Sequence, residues 1–113
     1  MDLYDYNKEE DIMTFKKEVY HKKFALNINP YIKIELNDSS MVIGLIIRNA
    51  SFFIKKPKDQ ICLYKIRCSI NTQPGFIELE VSTQYKLEKP EKFTINRNIN
   101  MDIVGTEFII DKQ

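Results

Sequence analysis

The sequence predicts an α+β fold: one N-terminal amphipathic helix packed on a mainly antiparallel five- to six-stranded sheet that ends in a C-terminal three-stranded meander. Three observations predict it. Residues 8–26 place Ile12, Phe15, Val19 and Leu26 on one helical stripe. Every segment after Pro30 prefers strand. From Phe76 to Glu88 the odd positions read Ile77, Leu79, Val81, Thr83, Tyr85 and Leu87, while the even ones are mostly polar, which is the period-two signature of a half-buried strand.

The helix is expected from about Lys8 to about Leu26. Asn7 can cap it, with Glu10 three residues on as in a capping box. Glu9, Glu10 and Asp11 lie at its start and Lys16, Lys17, Lys22 and Lys23 nearer its end, as the macrodipole prefers. Pro30 removes a donor and biases Asn29 out of the helical region, so the helix ends there.

Tyr31 to Leu36 then alternates as a strand with Ile32, Ile34 and Leu36 inward, and Asn37-Asp38-Ser39-Ser40 is a turn cluster. Met41 to Lys56 reads as one long strand, apolar on both faces up to Ile47, with Asn49 or Ser51 marking a bulge or bend. Its second face needs cover, and another copy of the chain could supply it. Residues 55–59 form a basic loop.

The remaining strands can be matched face to face. With Pro74-Gly75 at the centre of a tight turn, Gln73 meets Phe76, Ile66 meets Thr83, Cys68 meets Val81, Ile70 meets Leu79, Tyr64 meets Tyr85 and Cys62 meets Leu87. A second turn at Lys89-Pro90-Glu91 sets Leu87 against Phe93, Tyr85 against Ile95, Val81 against Ile99 and Ile77 against Ile103. Gly105 is expected to bulge the last strand before Phe108-Ile109-Ile110 closes it, with a sixth strand if Phe108 to Asp111 pairs separately. That register puts Arg97 on the apolar face, where an unpaired charge is costly. The other face is lined with short polar groups.

Composition bounds the function. The 113 residues suit a single domain, 1–113, and 17 basic against 16 acidic residues imply no strongly charged partner. The acidic start and the absence of a long apolar run point to a cytoplasmic protein, in its own cell or a host, without membrane attachment. Seventeen Ile, fourteen Lys and nine Asn against two Ala suggest a low-GC bacterium or its phage. Cys62 and Cys68 are expected as two buried thiols of one strand, too far apart to bridge.

No residue set names a chemistry. The single His21 and two separated cysteines make neither a zinc site nor a nucleophilic pair, and three isolated glycines cannot build a phosphate-cradling loop. No metal, cofactor or catalytic residue is expected. The function predicted is a non-catalytic protein-binding module, such as a small inhibitor, immunity-type or phage counter-defence protein. The residues expected to meet a partner are Tyr4 and Tyr6 in the acidic, aromatic N-terminal strip, Ile46 and Phe52 on the two-sided strand, and Arg97. A structural subunit of a homo-oligomeric assembly is the alternative, and weak nucleic-acid binding through the clustered lysines and exposed aromatics is the third.

Overall fold

The structure, a computed structural model, describes residues 1–110, and two antiparallel sheets packed face to face account for most of them. Strands β1 (Leu3–Asn7), β2 (Ile12–Lys16), β3 (Phe24–Asn29), β4 (Ile32–Leu36) and β5 (Val42–Arg48) form the first, in the order β1-β2-β5-β4-β3. Strands β6 (Lys65–Gln73), β7 (Phe76–Gln84), β8 (Glu91–Asn98) and β9 (Thr106–Phe108) form the second, in the order β8-β7-β6-β9. A one-turn helix, α1 (Ala50–Ile54), and a 3-10 helix (Lys58–Leu63) carry the chain between them.

The fold is therefore mostly β, and the expected N-terminal amphipathic helix does not form. Residues 3–16 are the hairpin β1–β2 instead, with Tyr4 opposite Phe15 and Tyr6 opposite Met13. The stripe through Ile12, Phe15 and Val19 fits a helix, but Met13 and Phe15 also alternate with Ile12, Thr14 and Lys16, and short apolar runs satisfy both periods. Burial decides between them: Met13 and Phe15 are fully buried, and the Phe15 ring lies 5.1 Å from Tyr4 and 5.5 Å from Phe108 of the opposite sheet. The capping signal is real but serves a turn. Asn7 Oδ1 accepts the Glu10 N–H at 3.0 Å, closing the loop between β1 and β2.

The same device recurs at the other hairpins of this sheet. Asn29 Oδ1 accepts from the Tyr31 and Ile32 N–H groups at 2.8 and 2.9 Å, and Asn37 Oδ1 from those of Ser39 and Met41 at 2.9 and 3.0 Å. Strands β3, β4 and β5 follow one another as hairpins, and β2 lies beside β5, which is a Greek-key order. Its long connection, residues 17–23, crosses the outer side of the sheet and is pinned by Lys17 N–H to Ile43 O and Lys23 N–H to Leu36 O, both at 2.8 Å.

Tyr20 and Lys22 of this connection meet Glu35 of β4, which in turn covers Gly44 on the outer face of β5. Glu35 is 4% exposed, and a Cβ on Gly44 would overlap Glu35 Oε1. Strand β5 is also shorter than expected. It stops at Arg48, Asn49 turns the chain with a left-handed φ of 54°, and residues 50–54 coil into α1.

In the second sheet the first hairpin has the expected register, with Gln73 opposite Phe76 and Ile66, Cys68 and Ile70 opposite Thr83, Val81 and Leu79. The second hairpin is displaced. Val81 meets Phe93 where face matching predicts Ile99, a slip of six residues. The chain leaves the sheet after Gln84, Glu88 N–H bonds back to Tyr85 O at 3.0 Å, and Leu87 is left 100% exposed rather than packed against Cys62 and Phe93. Both registers keep odd positions on the apolar side, so facing alone cannot separate them.

Two further expectations are corrected. Cys62 sits exposed in the 3-10 helix, whereas Cys68 is buried on β6 and burial raises its thiol pKa. The last strand does not continue past a bulge: β8 ends at Asn98, and β9 pairs with β6 on the far side of the sheet, reached through Gly105, which packs against Ile70 O too closely for any side chain. Asp111 lies outside the described residues.

Candidate functional site

A partly exposed cluster of aromatic side chains in contact is built on α1, and its position follows from a buried carboxylate. Asp11, at the end of the β1–β2 turn with φ 56°, is 4% exposed. Its carboxylate accepts from Tyr6 Oη at 2.6 Å, Ser51 N–H at 3.0 Å and Ser51 Oγ at 2.6 Å, and its carbonyl accepts from Ala50 N–H at 3.1 Å. Burial opposes the charge, but the Ser51 and Tyr6 donors outweigh it and hold the Asp11 pKa below the usual carboxylate value. A residue forty positions away thus caps α1, whose own Asn49 makes no side-chain cap bond.

With Ala50 and Ile54 buried, one turn of helix turns Phe52 outward, where it is 69% exposed. Phe53, half-buried beside it, links three further rings: Phe52 at 5.5 Å, Tyr31 at 5.7 Å and Phe93 of β8 at 5.4 Å. Tyr31 is itself 47% exposed. A cleft of about 540 Å³ opens between α1 and β8, bordered by Phe53, Phe93 and Lys55. At one margin Lys56 Nζ bonds Glu91 Oε2 at 2.8 Å and lies 5.1 Å above the Tyr64 ring; the bond to Glu91 chiefly raises the Lys56 pKa.

The five residues expected to meet a partner are not brought together. Tyr4 and Tyr6 are turned inward, Tyr4 onto Phe15 and Tyr6 onto Asp11, and burial raises both phenol pKa values, so they form no exposed docking strip. Ile46 is half-buried on the outer side of the first sheet, between Thr14 and Lys33. Arg97 does lie on the apolar side of its strand, but opposite Ile77 rather than Thr83 and at the open margin of the sandwich, where it is exposed. It borders a cleft of about 240 Å³ with Leu26 and Met101. Only Phe52 belongs to the aromatic cluster; its partners Tyr31, Phe53 and Phe93 are signalled by no more than the Phe52-Phe53 doublet.

The other sequence candidates are scattered. Lys17 bonds Asp2 at 3.1 Å, Lys22 pairs with Glu35 at 3.6 Å, and Lys16 lies 4.9 Å from the centre of the Tyr20 ring, so these lysines do not make one basic helix face. His21 is exposed on the crossing loop. Among the described residues no group of His, Cys, Asp or Glu is placed to hold a metal ion, and no helix is long and apolar enough to cross a membrane. No protein-family model matches the chain, and no curated protein or solved structure is significantly similar to it.

Proposed function

We propose that the chain is a non-catalytic protein-binding module that docks a partner protein through the aromatic surface of α1, with Phe52 as its anchor. The observation that carries this reading is Phe52 itself, 69% exposed at the end of a chain of touching rings. Full burial of such a side chain contributes roughly 1.5–3 kcal/mol, which a partner would supply. Anchors of this type carry most of the binding energy of an interface when a polar margin excludes water around them, and Lys55, Lys56 and Glu91 stand at such a margin. An inhibitor or immunity-type protein works in this way, by occupying a partner's surface without chemistry of its own.

The test is a comparison of three forms of the full chain: wild type, Phe52→Ala, and Leu87→Ser as a control for loss of an exposed apolar residue elsewhere. A partner captured in stoichiometric amount by wild type and by the control should bind Phe52→Ala about 30-fold more weakly, an effect of about 2 kcal/mol, with the thermal midpoint unchanged. Equal affinity for all three forms would remove the α1 surface from the interface.

A further inference from the structure

Strand β8 is an edge. It pairs with β7 through eight consecutive residues without a register break, and among the described residues no backbone hydrogen bond reaches its outer side. The other edges are managed. Strand β1 is tied at its start, where Asp2 N–H bonds Ile109 O at 3.0 Å; β3 is broken by an irregularity between Asn27 and Asn29; and β9 has three residues. An unbroken edge is a template for another strand, because its alternate N–H and C=O groups remain unpaired.

The sequence of β8 is complementary to itself. Read antiparallel about Thr94, it sets Glu91 opposite Arg97, Lys92 opposite Asn96 and Phe93 opposite Ile95. Moving the centre by one residue to Phe93 sets Glu91 against Ile95, and moving it to Ile95 sets Arg97 against Phe93. Of these three registers, only the one centred on Thr94 matches charge with charge and apolar with apolar. It also gives Arg97 a partner. That guanidinium lies on the apolar side of the strand and makes no ion pair among the described residues, while Glu91, bound to Lys56 through Oε2 only, has a side chain 67% exposed.

We propose that two copies of the chain associate through β8, in an antiparallel register centred on Thr94 that sets Glu91 of each copy against Arg97 of the other. The two four-stranded sheets become one of eight strands. The pairing shares Glu91 and Phe93 with the margin of the Phe52 surface, but its test reads self-association of the chain and not capture of a partner, so the two can fail independently. The opposing possibility is that Arg97 is a charge placed on the inward side to repel other strands, a common protection of sheet edges, which makes the chain a monomer.

Sedimentation of the full chain separates the two. Wild type should be a dimer, Arg97→Glu should associate at least about tenfold more weakly because a second carboxylate then opposes Glu91, and the exchange Glu91→Arg with Arg97→Glu should restore it. Register is read by cysteine cross-linking in a Cys62→Ser background. Directly opposed residues of an antiparallel pair have Cα atoms about 4.5–5.5 Å apart, within disulfide reach, so Thr94→Cys should give a covalent dimer under mild oxidation. Asn96→Cys places the two thiols four residues out of step, roughly 13 Å apart, and should stay monomeric on a denaturing gel. A wild type that is monomeric at every concentration, or cross-linking at position 96 as readily as at 94, overturns the proposal.

Discussion

In the first sheet, strands of five to seven residues are fixed at particular points: Asn7, Asn29 and Asn37 close the hairpins, Asp11 joins a turn to α1, and Glu35 sits under the crossing loop. In the second, nine-residue β6 and β7 and eight-residue β8 run in continuous register, and their buried side is made almost entirely of Ile, Val, Leu and Cys. The difference teaches that the two sheets fail in different ways. Removing Asp11 from the first sheet leaves the part-buried Tyr6 and Ser51 donors without their acceptor, whereas the second sheet is held chiefly by its apolar positions keeping to one side.

The sharpest way to break this contrast is Asp11→Ala. The Tyr6 hydroxyl, the Ser51 hydroxyl and the Ser51 N–H all lose their acceptor in a part-buried site, and hydrogen bonds to a charged group contribute roughly 1.5–3 kcal/mol each, so a loss of about 3 kcal/mol is expected by denaturant unfolding. The pH dependence has a definite sign. The folded-state pKa of Asp11 is depressed, as is that of Asp2, where burial is outweighed by bonds from Ile109, Lys17 and Glu18. Stability from both is complete above the unfolded carboxyl value of about 3.9 and is lost as pH falls through the folded values. Asp11→Ala should therefore flatten the acid limb of the stability profile; an unchanged limb would mean that Asp11 is not the group titrating.

Gly44→Ala probes a second point of the first sheet. The new Cβ would overlap Glu35 Oε1, and the carboxylate is held under Tyr20 and Lys22, where burial and the facing Glu35 push the Tyr20 hydroxyl up to about 12. Overpacking of this kind costs typically about 1–3 kcal/mol. Glu35→Ala removes the carboxylate but keeps a Cβ 3.2 Å from the new atom, so Gly44→Ala should cost clearly less in the Glu35→Ala background than in wild type. A double-mutant cycle by thermal unfolding reads the coupling, and a coupling near zero would sink this account.

How far these features can be read in the sequence also differs between the sheets. The β6–β7 hairpin is legible because a two-residue turn at Pro74-Gly75 leaves one register in which Cys68 meets Val81 and Ile70 meets Leu79. The N-terminal hairpin is not, since Ile12, Phe15 and Val19 satisfy a helical stripe as well as Met13 and Phe15 satisfy a strand, and the choice rests on Phe108, more than ninety residues away. The Asn7 signal shows why local rules mislead: one side-chain bond to an N–H three residues on serves a helix start and a turn equally. Of the candidate site, Phe52 is legible as an apolar residue with too many faces to cover, and Arg97 as a charge on an apolar side. The ring cluster is not, because it is assembled from the β3–β4 turn, α1 and β8 by the packing of two sheets.

The smallest expected effect tests the second sheet where sequence and structure part. In the register expected from face matching, Leu87 is a core residue between Cys62 and Phe93, and truncating it would cost about 2–5 kcal/mol by the usual measure for a buried leucine. In the structure Leu87 is 100% exposed in the connection between β7 and β8, because Pro90 cannot donate to a ladder and Gln84 Nε2 bonds Glu88 O at 2.9 Å to close a loop instead. Leu87→Ser should then change stability by no more than about 0.5 kcal/mol. The slip in register also moves Phe93 from the end of the hairpin to a place beside Val81 and Phe53, and it leaves Arg97 at the open margin of the sandwich. A large loss in Leu87→Ser would thus restore the longer pairing and take Phe93 away from the aromatic surface; a neutral result supports the register on which that surface depends.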